Sequence, residues 1–96
     1  MSRKIRREKA VAFTDLEDGS GVLLHLDNKF YYSLNMTGSF LWKLLEEKEE
    51  LSEESLLEAV VDNFEVELKE AKTDLDEFIE DLVKEGLIKI QQEKIA

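Results

Sequence analysis

Residues 29–45 read KFYYSLNMTGSFLWKLL, and the hydrophobic period changes partway through this stretch. Up to Leu34 the apolar residues alternate and place Phe30, Tyr32 and Leu34 on one face, as a half-buried strand requires. After Asn35 they recur at the spacing of one helix face, and an asparagine side chain can accept hydrogen bonds from the free amides of a first helical turn. The stretch therefore predicts a strand that leads directly into a capped helix.

A meander of strands is predicted before this joint. Residues 22–26 alternate between two faces, with Val22, Leu24 and Leu26 on one of them, as expected for a strand. Asp27 and Asn28 both tolerate left-handed backbone angles, so they predict a tight hairpin turn that leads back into residues 29–34. The economical interpretation is a three-stranded antiparallel sheet made of residues 11–34.

Helices are predicted after the joint. Apolar spacing places them at about residues 36–47, from Ser52 to residue 63 or 64, and at about residues 68–85. Ser52 is a favoured N-cap, and Gly86 suits the left-handed residue that ends the third helix. Because a very short turn joins the second helix to the third, the pattern is a helix-turn-helix, with residues 87–90 as a short final strand or wing.

Length and composition limit the function classes. At 96 residues the chain is long enough for one hydrophobic core and too short for two. It has no cysteine and one histidine, which argues against a disulfide framework, a thiolate nucleophile and a metal site. We expect a non-catalytic protein without a cofactor. It is also expected to be cytoplasmic, because it has neither an apolar run of ~20 residues nor a secretion-type first segment.

Charge is divided unevenly along the chain. Residues 1–10 carry five cations and one carboxylate, a net charge of +4, so the remaining 86 residues carry −14 to reach the total of −10. We expect residues 1–10 to form a basic flexible arm, residues 11–90 the folded domain and residues 91–96 a frayed tail. A body this acidic repels phosphate backbones.

The third helix is apolar over an unusually wide arc. The residues that a core requires are Ala71, Leu75, Phe78 and Leu82. Ile79 and Val83 widen this stripe to roughly 140° on one side, and Lys72 and Asp76 border the added margin. Two interpretations remain open here: either a small domain wraps this helix more fully, or Ile79 and Val83 line an open groove.

Four stretches carry a resemblance to a known family. They are Leu24-x-Leu26-Asp27, Phe30-Tyr31-Tyr32-x-Leu34-Asn35-x-Thr37-Gly38, Leu41-Trp42-x-Leu44-Leu45 and Phe78-Ile79-x-x-Leu82-x-x-x-Gly86-Leu87-Ile88. Over about residues 11–90 the chain resembles the PqqD family. These are small proteins of pyrroloquinoline quinone biosynthesis and, more broadly, peptide-recognition domains called RiPP recognition elements.

This resemblance implies both a fold and a role. The fold is α+β and winged helix-turn-helix-like, with a three-stranded antiparallel sheet followed by a bundle of three helices. The role is that of a non-catalytic peptide chaperone, which binds the leader segment of a ribosomally synthesised precursor peptide and presents it to a modifying enzyme, often a radical S-adenosylmethionine enzyme. In the family the leader adds as a strand to the third strand, in the cleft between that strand and the third helix.

Carried onto this chain, the resemblance implies a peptide-binding site on two elements. The site residues expected on the strand are Lys29, Phe30, Tyr31, Tyr32, Ser33 and Leu34, and those on the third helix are Lys72, Leu75, Asp76, Ile79 and Val83. An edge strand offers unpaired amides and carbonyls to an extended peptide. Ile79 and Val83 would form pocket walls, Lys72 and Asp76 would recognise polar leader residues, and the acidic body predicts a basic segment in the leader.

Other function classes share parts of this pattern. A DNA-binding winged helix protein has the same helix-turn-helix, but the third helix carries acids where phosphate contacts need lysine or arginine, namely Glu70, Asp74, Glu77 and Asp81. A small acidic subunit that binds an enzyme without any leader peptide is a third class. An unfilled edge strand can also pair with a second copy of the chain, so a homodimer remains open.

Overall fold

A computed structural model describes residues 3–92. Six strands and three helices follow in the order β1 (Arg3–Arg7), β2 (Val11–Asp15), β3 (Gly21–His25), β4 (Phe30–Leu34), α1 (Met36–Lys48), β5 (Glu50–Ser52), α2 (Glu53–Asn63), α3 (Leu68–Lys84) and β6 (Ile88–Gln92). The predicted α+β class is confirmed. The strands form two antiparallel three-stranded sheets, with orders β2-β3-β4 and β5-β1-β6. None of the helices in residues 3–92 has the length and apolarity to cross a membrane.

The predicted meander is confirmed as the sheet β2-β3-β4. Leu23 lies opposite Phe13 on one side and Tyr32 on the other, and this row faces the helices, because Leu23 is fully buried. The neighbouring row, with Leu24 opposite Tyr31, lies on the other face of the sheet, which is more exposed. The alternation in the sequence thus gave the correct two faces for the third strand of this sheet.

The hairpin between β3 and β4 differs from the predicted tight turn. It spans residues 26–29, and the amide of Lys29 donates to the carbonyl of His25 at 2.7 Å. Lys29 takes the left-handed conformation, with φ of 62°, so it belongs to the turn and β4 begins at Phe30. Lysine is not a typical left-handed residue, so its identity does not mark position 29 as part of the turn.

The joint between β4 and α1 is built as predicted. Asn35 is the N-cap, and its side-chain oxygen accepts a hydrogen bond from the amide of Gly38 at 2.8 Å. The helix approaches the sheet closely at Gly21, where an added Cβ would lie 2.3 Å from the Phe13 ring and 2.8 Å from the Ser39 hydroxyl. Glycine at this position allows α1 to pack directly on β3.

Residues 3–7, expected in a flexible arm, instead form β1, the central strand of the second sheet. Ile5 is fully buried and lies between Leu51 of β5 and Ile90 of β6. A strand with one buried apolar residue among cations gives almost no periodic signal, and its partners are distant in sequence. The expected frayed tail also differs in part, because β6 continues to Gln92, while residues 93–96 lie outside the described residues.

The second and third helices agree closely with their predicted bounds, and Ser52 caps α2 by accepting from the Ser55 amide at 3.1 Å. The third helix ends in a Schellman motif at Gly86, whose φ is 74°. There the Leu87 amide donates to the Leu82 carbonyl at 2.8 Å, and the Gly86 amide donates to the Val83 carbonyl at 3.1 Å. Leu87 is fully buried, so the end of α3 and the start of β6 are fixed to the core.

The buried position of Ile5 generates a stability prediction. Ile5→Ala is expected to lower the free energy of unfolding by about 2–5 kcal/mol, because it leaves a cavity in the core. Arg6→Ala, in the same strand but exposed, is expected to change it by less than about 0.5 kcal/mol. Urea unfolding monitored by circular dichroism measures both free energies. An Ile5→Ala protein as stable as the parent would contradict the buried strand and support a flexible arm at residues 3–7.

Candidate functional site

The outer edge of β4 is open. In the part of the chain that the structure describes, β4 pairs only with β3. The strand therefore keeps a row of amides and carbonyls that make no ladder hydrogen bonds along its other edge. Such an edge is able to accept an additional strand from an extended peptide.

A cleft of about 180 Å³ separates this end of the sheet from α3. On one side it is lined by Tyr32, Ser33 and Leu34 of β4 and by residues of the β4–α1 joint. On the other side the lining residues of α3 are Asp74, Glu77, Phe78, Asp81 and Leu82. The predicted pair of elements, the strand and the third helix, is thus adjacent in the fold.

The six strand positions named from the sequence divide among three environments. Tyr32, Ser33 and Leu34 line the cleft, although the Leu34 side chain is itself buried. Tyr31 is 72% exposed and lies on the face of the sheet that points away from the helices. Phe30 stacks against the buried His25, with 5.7 Å between ring centroids, and Lys29 is in the turn.

The helix positions named from the sequence lie elsewhere. Lys72, Leu75 and Asp76 line a different cavity, of about 350 Å³, together with Arg3 of β1 and residues of α2. Ile79 is only 1% exposed, so this side chain belongs to the core and the interpretation of a more fully wrapped helix holds for it. Val83 is 39% exposed, but it does not line the β4 cleft.

The two sets of helix residues lie on opposite flanks of one buried stripe. At about 100° per residue, Asp74 and Asp81 fall on one side of Phe78, whereas Lys72 and Asp76 fall well beyond it on the other. The sequence shows both flanks but not which one faces β4. Arg3 of β1, which ion-pairs with Glu53 of α2, shares its cavity with Asp76 and so occupies the flank that the sequence analysis selected.

The helix wall of the cleft is strongly acidic, and Tyr32 responds to it. Burial raises the pKa of Tyr32, and the negative charges of Asp81 and Glu85 raise it further. Each of these effects disfavours a second negative charge at this point. A wall formed by Asp74, Glu77 and Asp81 is therefore suited to a cationic side chain and unsuited to an anionic one.

This arrangement generates a titration prediction. In a Tyr31→Phe background Tyr32 is the only tyrosine, and Asp81→Asn is expected to lower its pKa because a nearby negative charge is removed. Asp76→Asn, on the opposite flank, is the matched control and is expected to leave it unchanged. Ultraviolet absorbance of the tyrosinate measures both, and equal titration curves for the two variants would contradict the proximity of Asp81.

The same pKa shift has a consequence for stability. Because the pKa of Tyr32 is higher in the folded state than the ordinary 10.0, the neutral hydroxyl contributes stability that is fully present below about pH 10. That contribution is lost as the pH rises through the folded-state pKa. Asp81→Asn is expected to reduce the contribution, so the unfolding free energies of the two proteins should depend differently on pH above about 10, as measured by urea unfolding.

The fold and the cleft together define an α+β domain whose open edge strand suits strand addition by an extended peptide. The sequence model of the family described as coenzyme PQQ synthesis protein D (PqqD) matches residues 20–88. The chain therefore belongs to the PqqD family. The match includes the whole of β3, β4 and the three helices, and so it contains every residue that lines the cleft.

Two solved structures are similar to the whole domain. One, described as TbiB1 in complex with the TbiA(beta) leader peptide, is 27% identical, with a TM-score of 0.78, and the match covers 92% of this chain and 99% of that one. The other, a lasso peptide synthetase B1 complexed with the leader peptide, is 21% identical, with a TM-score of 0.72 over 88% of this chain and 96% of that one, and supports the fold alone. No curated protein matches the chain.

Proposed function

We propose that this protein binds the leader segment of a ribosomally synthesised precursor peptide and delivers the peptide to a modifying enzyme. The leader adds as a further strand along the open edge of β4 and faces α3 across the cleft. The domain supplies recognition and no chemistry of its own. The observation that carries this proposal is the unpaired edge of β4 opposite α3, in a chain of the PqqD family.

The similarity to TbiB1 supports the same function. That protein has a leader peptide bound, and it matches nearly the whole of both chains at 27% identity. In the proposed complex, main-chain hydrogen bonds to β4 supply affinity that is independent of the leader sequence. Side chains on alternate positions of the leader then enter the cleft and provide selectivity.

The site residues proposed for this chain follow from the cleft geometry. On β4 they are Tyr32, Ser33 and Leu34, with Phe30 and Tyr31 continuing the strand. On α3 they are Asp74, Glu77, Phe78 and Asp81 instead of the residues on the other flank. Because three of these four helix residues are acids, we propose that the leader places a lysine or arginine against α3.

The acidic wall also favours peptide binding over DNA binding. The third helix is the element that would enter a major groove in a winged helix protein. Here Asp74, Glu77 and Asp81 lie on its cleft side, where they would meet phosphates of the same sign. A cationic peptide is the better partner for this surface.

Strand addition predicts that leader binding depends on the backbone amide of every second residue of the leader. With the leader peptide encoded beside the gene of this protein, N-methylation at every second residue of the bound segment is expected to weaken binding strongly. N-methylation at the intervening residues is expected to leave binding nearly unchanged, because those amides point away from β4. Isothermal titration calorimetry measures the affinities, and equal losses at all positions would contradict strand addition.

The helix wall is tested by charge reversal. Asp81→Lys is expected to weaken leader binding by roughly tenfold or more, because it places a cation against the proposed cationic leader residue. Asp76→Lys changes the net charge equally on the opposite flank and is the matched control. A loss of equal size in both variants would mean that only the overall charge matters, and a loss confined to Asp76→Lys would return the site to the flank selected from the sequence.

The receiving enzyme is also part of the proposal. The resemblance to the PqqD family implies a radical S-adenosylmethionine enzyme as the receiver. Co-purification with the enzymes encoded beside the gene, with and without the precursor peptide, identifies the receiver. Complex formation only in the presence of precursor supports delivery, and equal complex formation without it favours an accessory subunit.

A further inference from the structure

A basic pocket lies on the second sheet, away from the leader cleft. Its volume is about 370 Å³, and it is lined by Arg6, Arg7, Glu8, Lys9, Glu49 and Lys89. Four cations and two carboxylates give this pocket a net positive charge, although the whole chain carries −10. The leader cleft and the basic pocket share no residue and belong to different sheets.

The arrangement of the cations in this pocket lowers the stability of the fold. Arg6 and Lys89 lie directly opposite each other in the β1–β6 register, and like charges in that position are destabilising. Lys89 is relieved in part by Glu8, with 3.3 Å between the charged atoms. Among residues 3–91, no carboxylate lies within 4.0 Å of the charged nitrogens of Arg6, Arg7 or Lys9.

One nitrogen of Arg7 has no hydrogen-bond partner among the residues that the structure describes. The Nε of Arg7 is buried and makes no hydrogen bond. A buried charged donor without an acceptor is costly. A carboxylate from outside would pair with the charge of the Arg7 guanidinium, and it would reach Nε only if the side chain moved. The positive charges of Arg6, Arg7 and Lys89 are therefore all offset by the same kind of ligand, an anion.

The chemistry of the surroundings favours an acidic polypeptide over other anions. In the part of the chain that the structure describes, β6 pairs only with β1, so a free strand edge runs beside Lys89. A polypeptide is able to use that edge, whereas a nucleic acid is not. Glu8 and Glu49 also line the pocket, and their carboxylates would repel the dense charge of a phosphate backbone.

We propose that the basic pocket formed by Arg6, Arg7, Lys9 and Lys89 docks an acidic segment of a partner protein. The acidic side chains of that segment pair with the cations, and its backbone lies along the edge of β6. Because the pocket and the leader cleft are separate, both sites can be occupied at once. The protein would then hold the leader on one sheet and a second protein on the other.

A direct test uses a fluorescein-labelled oligoglutamate peptide as the probe. Because the protein carries a net charge of −10, a polyanion binds at low ionic strength only if a local basic site outweighs the overall repulsion. Fluorescence anisotropy is expected to show binding that weakens as salt is added. Amide NMR shifts are expected on Arg6, Arg7, Lys9 and Lys89, and shifts confined to other residues would overturn the proposal.

Variants make the test specific. The double variant Arg6→Glu/Lys89→Glu is expected to weaken oligoglutamate binding by more than about tenfold. The double variant Lys69→Glu/Lys72→Glu changes the net charge by the same amount on the exposed start of α3, and it is expected to bind nearly as the parent does. If the first variant is poorly folded by circular dichroism, Arg6→Gln/Lys89→Gln replaces it, with a smaller loss expected.

Two further outcomes distinguish the alternatives. Tighter binding of an oligothymidylate with the same number of charges would overturn the acidic-polypeptide proposal in favour of nucleic acid. Unchanged oligoglutamate binding in both pocket variants would also overturn it. The Arg6→Glu/Lys89→Glu protein is expected to bind the leader peptide as the parent does. Failure of the docking proposal would therefore leave leader binding unchanged, whereas failure of the leader-binding proposal would show as no leader binding in the parent protein.

Discussion

The hydrogen bond from the Gly38 amide to the Asn35 side chain is the contact on which the site depends. It ends β4 and begins α1 without a connecting loop, so the chain leaves the sheet at this point. Within residues 3–92 no further strand pairs with β4 on its outer side. Packing of α1 onto Gly21 then fixes the helix against the meander. The open edge is therefore a direct result of how the strand is terminated, and α3 provides the wall opposite it.

The third helix contributes its two flanks to two surfaces that differ in their charged neighbours. Its buried stripe packs on the core, one flank presents Asp74, Glu77 and Asp81 to the cleft, and the other flank meets Arg3. The second sheet holds all three arginines of the chain, which lie in β1. Acidic and basic surfaces are thus separated within one small domain, an arrangement suited to holding two partners of different charge.

The sequence predicts the elements that have local signals. Alternation locates β3 and β4, but the fully buried residue of β3 is Leu23, whereas the apolar face expected from the sequence is the row of Val22, Leu24 and Leu26. Asn35 and Ser52 mark helix starts, and Gly86 marks a helix end, as observed. Residues 3–7 carry no such signal, because β1 owes its place to pairing with distant strands that cover a single isoleucine. That omission also explains why the helix flank expected from the sequence, with Lys72 and Asp76, lines a different cavity from the cleft beside β4. Without β1 and its Arg3, nothing in the sequence shows which side of α3 is already covered.

The acidic wall of α3 also affects whether copies of the protein associate with one another. Two copies that joined their β4 edges would bring Asp74, Glu77 and Asp81 of one molecule towards the same residues of the other. Like-charge repulsion at that seam opposes sheet growth, so these acids act as gatekeepers against aggregation through the strand that must stay open for its ligand. Screening by salt or neutralisation by acid removes this barrier, so self-association is a risk under the conditions that weaken leader recognition.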